Sequence, residues 1–213
     1  MPKRRYVSPA VIRRLPRYHR FLGRLIENGV ERISSKELSS MMNLTASQIR
    51  QDFNCFGEFG QQGYGYETKR LHNEIGEIMG LERGFAAVLI GAGNLGKAFA
   101  KHIDFHSAGF TLEAVFDNSP EQIGGQISGL VVEDVAALEE FCSSRKIDTG
   151  ILCLPGEAAA AMVTRMMSCG IKSFWNFTHE DISLISPDII VENVHLTDGL
   201  MVLCYQLNDA LKG

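Results

Sequence analysis

A winged helix-turn-helix followed by an α/β domain is the fold class that this chain predicts, on three observations. Residues 91–96 read Gly91-Ala92-Gly93-Asn94-Leu95-Gly96, directly after the apolar run Phe85-Ala86-Ala87-Val88-Leu89-Ile90. A buried strand that turns on glycines into a helix presents backbone N–H groups to a pyrophosphate, which is the design of a Rossmann domain. From residue 85 onward strand and helix signals alternate, as they do in a parallel sheet with crossover helices. Before that point the charge changes sign: residues 1–72 hold 13 Lys and Arg against 6 Asp and Glu, and residues 73–213 hold 8 against 19. The first 24 residues carry eight basic side chains and no acid. Such an asymmetry implies a polyanion partner for the basic half. The expected divisions are 1–82 for DNA binding, 83–194 for the nucleotide and 195–213 for dimerisation.

In the first unit, Ser8-Pro9 opens a helix, with Ser8 as N-cap and Pro9 in the first turn. Ile12, Leu15, Tyr18, Leu22, Leu25 and Ile26 define its apolar face. Pro16 predicts a kink or a break into two segments, and Asn28-Gly29 the end. Ser34-Ser35-Lys36-Glu37 and Thr45-Ala46-Ser47-Gln48 both read as capping boxes. Two short helices joined at Asn43-Leu44 form a helix-turn-helix, whose second helix reads the major groove with its N-terminal residues. Ser47, Gln48, Arg50 and Gln51 are the expected readers, since Gln bonds adenine edges and Arg bonds guanine or phosphate. Arg13 and Lys36 are assigned to the same interface. Phe56 to Tyr66 holds four glycines and four aromatics, which reads as a wing with Gln62 or Tyr64 at its tip. Thr68 is expected to cap a helix that carries Leu71, Ile75, Ile78 and Met79.

In the second unit, strands are expected at 85–90, 111–116, 147–153 and 171–177, and helices at 95–107, 133–145 and 157–169. Asp117 lies 21 residues past Gly96 at a strand end, the spacing at which an acid takes adenosine ribose hydroxyls. It would repel a 2′-phosphate, which favours NAD(H) over the phosphorylated cofactor. Pro155 and Gly156 follow the next central strand and border the nicotinamide in this reading. Asn176 is either a carboxamide contact or a turn residue. Leu196, Leu200, Leu203, Leu207 and Leu211 form a stripe that docks on a partner, consistent with a two-fold reader of paired half-sites.

The five cysteines are odd in number and lack metal-ligand spacing, so neither a disulfide framework nor a metal site is expected. No signal peptide and no run of about 20 apolar residues is visible, and a soluble cytoplasmic protein is expected. An oxidoreductase would find proton donors among His102, His106, His179 and His195. The 36 residues from 178 to 213 are too few for a substrate domain, so no enzyme is expected. A CoA-binding module is the remaining alternative, since similar domains hold CoA on the same loop.

Taken together, these motifs resemble the Rex family of redox-sensing transcriptional repressors. The match rests on Ile12-Arg13-Arg14-Leu15-Pro16-Arg17-Tyr18, Ser47-Gln48-Ile49-Arg50-Gln51-Asp52-Phe53, Phe56-Gly57-Glu58-Phe59-Gly60, Gly63-Tyr64-Gly65-Tyr66 and the glycine turn. The resemblance implies a homodimer with winged-helix heads on a Rossmann core and the C-terminal helix swapped between subunits. It implies binding to palindromic double-stranded operators when free or NAD⁺-bound, release when NADH binds, and target genes of anaerobic and fermentative metabolism. Two positions depart from the family pattern. His102 stands for a tyrosine near the nicotinamide, and His195 for an aspartate at the start of the last helix. In the family that aspartate alternates between the tyrosine and an arginine that matches Arg20.

Overall fold

The computed structural model describes residues 7–57, 59 and 64–212. The chain divides into two compact units, Met1–Glu82 and Arg83–Gly213.

The first unit runs α1 (Pro9–Glu27), β1 (Arg32–Ile33), α2 (Ser35–Met42), α3 (Ala46–Asn54), β2 (Tyr66–Glu67) and α4 (Thr68–Met79). Ser8 caps α1 through the Val11 N–H, and Asn28 with Gly29 at φ 74° ends it. The break expected at Pro16 does not occur, because α1 continues unbroken to Glu27. Pro16 lies on the exposed face, so the bond it cannot donate leaves only a solvated carbonyl. Leu15, Tyr18, Leu22 and Leu25 bury together with Leu38, Ile49, Phe53, Leu71 and Ile75. Tyr18 meets Phe53 edge-on at a centroid distance of 5.0 Å, a favourable aromatic geometry.

Wing residues 58 and 60–63, including Gln62, lie outside the described residues. The β2 end of that segment pairs antiparallel with β1, which precedes the helix-turn-helix (Arg32 opposite Glu67, Ile33 opposite Tyr66). Thr68 does not cap α4. The N-cap is Glu67, without a side-chain bond, and Thr68 is the first helical residue. Its hydroxyl is buried without a hydrogen-bond partner among the described residues.

The second unit runs β3 (Phe85–Ile90), α5 (Asn94–His102), β4 (Phe110–Asp117), β5 (Gln126–Ile127), β6 (Leu130–Asp134), α6 (Leu138–Ser143), β7 (Thr149–Leu152), α7 (Gly156–Ser168), β8 (Ser173–Asn176), β9 (Ile190–Asn193) and α8 (Leu196–Ala210). The sheet order is β5-β6-β4-β3-β7-β8-β9, and only β5 is antiparallel to its neighbour. From β6 to β9 this is the doubly wound order of a Rossmann domain, with its switch point between β3 and β7. On β3, Val88 and Ile90 bury in one face cluster while Ala87 and Leu89 bury in the other. A continuous apolar strand is what a sheet covered on both faces requires.

Three expectations shift. The helix expected at 95–107 ends at His102, where Ile103 turns extended and Asp104 accepts from the Ser107 N–H and hydroxyl. The helix expected over 133–145 shrinks to Leu138–Ser143. The β-branched pair Val131-Val132 joins the sheet through β6, entered from β5 by a tight turn with Ser128 at φ 52° and Gly129 at φ 84°. Two positive φ values in a row match the strand twist of a two-residue hairpin. Strand β9 was not expected at all. Among the described residues no helix is long and apolar enough to cross a membrane.

Candidate functional site

In the first unit, the Ser34 capping box is complete: its hydroxyl accepts from the Glu37 N–H, and the Glu37 carboxylate accepts from the Ser34 N–H at 2.8 Å. The second box is half formed. Thr45 accepts from the Gln48 N–H, but the Gln48 side chain turns inward and donates to Asp52 Oδ1 at 2.9 Å. This bond takes one N–H of the Gln48 amide, and Gln48 is half-buried where the other expected readers of this helix are exposed. Ser47, Arg50 and Gln51 remain exposed at one helical face, and Ser35 Oγ holds the Arg50 guanidinium at 3.0 Å. Arg13 and Lys36 are exposed, as is Tyr64, whose carbonyl accepts two bonds from Arg32.

Asp52 was missed as a functional residue. It is fully buried and accepts from Arg14 Nε at 2.6 Å, Arg14 Nη2 at 2.7 Å and the Tyr18 hydroxyl at 2.7 Å, besides Gln48. Burial pushes its carboxyl up, but these bonds outweigh burial and hold it below the ordinary carboxylate range. Burial, and then Asp52 itself, pushes the Tyr18 hydroxyl well up. The network locks α3 to α1 by charge-assisted bonds. Its signal was an acid at position 52, beside Phe53 and one turn from Ile49 on the helix face that buries both.

In the second unit, the glycine turn sits at the β3/β7 switch point. Gly91 has φ 102°, and a Cβ there would fall 2.4 Å from the Cys153 carbonyl oxygen at the end of β7. A Cβ on Gly96 would fall 1.8 Å from the Gly91 oxygen. These two glycines permit close backbone approach. Gly93 differs, because a Cβ there would meet nothing within 4 Å. It is the exposed N-cap of α5, next to the exposed Asn94 and the half-buried Leu95. Open space above a helix N-terminus at the switch point fits a pyrophosphate, which would lie on the α5 N–H groups.

Asp117 is 8% exposed, and its oxygens already accept from the Ala92 and Ser119 N–H groups. It ties the end of β4 to the glycine turn, a role that the spacing argument did not foresee. Pro155 is exposed at the N-cap of α7. Asn176 is corrected from cofactor contact to structural residue. It is fully buried, donates to the Glu180 carbonyl and Asn193 Oδ1, and accepts from the Thr178 N–H and hydroxyl. No capacity is left for a carboxamide.

His102 is exposed at the last position of α5, about 14 Å along the helix from Gly93. His195 is the half-buried N-cap of α8, within electrostatic reach of Asp181. No hydrogen bond or ion pair joins His102 to His195 among the described residues. Arg20 is exposed on α1. Helix α8 is exposed along its whole length, with Leu196, Leu200, Met201, Leu203 and Leu207 all open. An apolar groove of about 390 Å³ is lined by Ile103, Phe105, Phe110, Ile151, Trp175 and Ile190. No group of three metal-ligating side chains occurs among the described residues.

The family profile described as "Putative DNA-binding protein N-terminus" matches residues 6–54, and that described as "CoA binding domain" matches residues 85–180. The "Redox-sensing transcriptional repressor Rex" of Thermoanaerobacter sp. (strain X514) is 49% identical over 209 residues, covering 98% of this chain and 93% of the relative. Its namesake in Clostridioides difficile (strain 630) is 50% identical over 203 residues, covering 95% and 96%. The crystal structure of RSP in complex with β-NAD⁺ and operator DNA is similar at a TM-score of 0.90, with 49% identity and coverage of 96% and 94%. RSP in complex with β-NADH gives 0.88, with 46% identity and coverage of 96% and 95%. With such identity along nearly its whole length, the chain belongs to the Rex family of redox-sensing transcriptional repressors.

Proposed function

We propose that this protein is a transcriptional repressor that binds palindromic operator DNA when free or NAD⁺-bound and releases it when NADH binds. The observation that carries the reading is the open Gly93 N-cap at the β3/β7 switch point, in a chain whose other unit carries a capped helix-turn-helix. Gly91 to Gly96 would hold the pyrophosphate, and Pro155 would border the nicotinamide. The remaining lone pairs of Asp117 would accept from the adenosine ribose. NAD(H) supplies the redox state that is sensed, and no residue of the chain needs to perform catalysis. Ser47, Arg50 and Gln51 would read base edges, while Arg13, Lys36 and Tyr64 would contact backbone or minor groove.

The functional unit is a cytoplasmic homodimer in which α8 leaves its own chain and lies in the partner's apolar groove. Fifteen exposed helical residues with a leucine stripe support this reading, since such surface is costly to leave in water. His102, His195 and Arg20 are the positions at which the state of the nicotinamide would be communicated. The test is competition on one operator duplex. Fluorescence anisotropy should report release by NADH and retention with NAD⁺, and a thermal shift should appear with NADH but not with CoA. Equal release by NADH and NAD⁺, or a shift with CoA alone, refutes the reading.

A further inference from the structure

Two thiols outside both candidate sites lie on helices α6 and α7, which an ion pair joins. Cys142 is on α6, and Cys169 caps the C-terminus of α7. Both helices connect parallel strands, so they run in the same direction. They are bridged one turn earlier, where Arg165 Nε and Nη2 donate to the Glu139 carboxylate at 2.8 and 2.7 Å. Arg165 Nη2 also donates to the Val135 carbonyl at 3.1 Å. Cys142 lies three residues beyond Glu139, and Cys169 four beyond Arg165. One turn past an ion pair, on two helices of the same direction, side chains meet again. They do so here, where the Cys169 sulfur acts electrostatically on the Cys142 thiol. Both residues are partly exposed.

We propose that Cys142 and Cys169 form an oxidation site that closes to a reversible disulfide with hydrogen peroxide as oxidant. The two sulfurs are not equivalent. Burial, and then the Cys169 sulfur, pushes the Cys142 thiol up to about 11, so it stays protonated at neutral pH. Cys169 is therefore the sulfur that attacks first, since Cys142 keeps its proton. Cys169 sulfur attacks one peroxide oxygen, the O–O bond breaks, and the second oxygen leaves as water with the thiol proton. The sulfenic acid so formed is then attacked by Cys142 sulfur. The S–S bond forms, the S–O bond breaks, and the hydroxyl leaves as a second water with the Cys142 proton. Two thiols lose two electrons and one peroxide gains them. The link joins the end of α6 to the end of α7, whose other end starts at the candidate nicotinamide border.

Peptide mapping of the reduced full-length protein after peroxide, with alkylation under denaturing, non-reducing conditions, tests this. Trypsin places Cys142 in residues 102–145, Cys153 in 147–165 and Cys169 in 166–172. The expected product joins 102–145 to 166–172 and disappears with dithiothreitol, while 147–165 carries the alkyl tag. In Cys142→Ser the link is lost and Cys169 accumulates as a dimedone adduct of the sulfenic acid. Peroxide-treated wild type in which Cys142 or Cys169 carries the alkyl tag, or is joined to any other cysteine, overturns the proposal. So does Cys142→Ser protein whose Cys169 takes no dimedone.

Discussion

Gly93 and Asp52 show how differently single residues serve the two units. Gly91 and Gly96 are required by the protein's own backbone, whereas Gly93 has room for a side chain. Gly93→Val is therefore expected to fold with an unchanged circular dichroism spectrum. Its side chain would occupy the space above α5, removing the NADH thermal shift and leaving a repressor that stays on its operator. NADH-driven release by the folded variant would refute the assignment. Asp52→Ala should destabilise the first unit by about 3 kcal/mol, because Arg14 and Tyr18 lose a buried partner, measured by urea unfolding. The acid limb follows from the same bonds. They hold the Asp52 carboxyl low in the folded state, so its contribution is complete above the unfolded value near pH 3.9 and is lost as pH falls through the folded value. Asp52→Asn should show a flatter acid limb, and an identical limb would deny Asp52 that role. Arg50→Ala should weaken operator binding by about 1–3 kcal/mol if Arg50 reads a guanine, and wild-type affinity would count against it.

Helices α1 and α4 carry a feature that no motif announces. His19 and His72 stack at a centroid distance of 3.8 Å, and each ring lies over a glycine of the facing helix, His19 over Gly76 and His72 over Gly23. Burial, and then the charge of His72, holds His19 below 6.5. The unfolded chain therefore takes up the His19 proton more readily. Stability of this interface is full above about pH 6.5 and falls as pH drops toward the folded value. The urea midpoint of the first unit should decline between pH 7 and 5, and less so in His19→Gln. Equal declines would assign the pH dependence elsewhere. Elements were legible where a local rule fixed them: the capped starts at Ser8, Ser34 and Thr45, the strand before the glycines, the leucine stripe of α8. The β5–β6 hairpin was not, because its two-residue turn uses Ser128 rather than the more usual Asn or Asp. Nor was the inward turn of Gln48, which depends on Asp52, Arg14 and Tyr18 meeting across 38 positions of chain. The use of Asn176 was hidden for a similar reason, since Asn193 reaches it only after β9 joins the sheet.

For the whole molecule, the proposed association through α8 is open to a direct test. Removing residues 195–213 should give monomers or aggregates by sedimentation, since the stripe on α8 would lose its partner groove. An intact dimer would refute docking. Operator affinity should fall steeply with salt, with a slope of about −0.9 per phosphate neutralised. A flat salt response would assign the basic face to another role. The pairing of α1 with α4, and of β1 with β2, has a consequence for how the protein is made. The first and last helices of the DNA-reading unit close on each other. That unit stays incomplete on the ribosome until Met79 has emerged, and it is then whole before β7, which completes the switch point, has been added. Domains generally fold as units in order of synthesis. A nascent chain stalled within β4 would therefore already carry a finished DNA reader with no means of hearing the nucleotide.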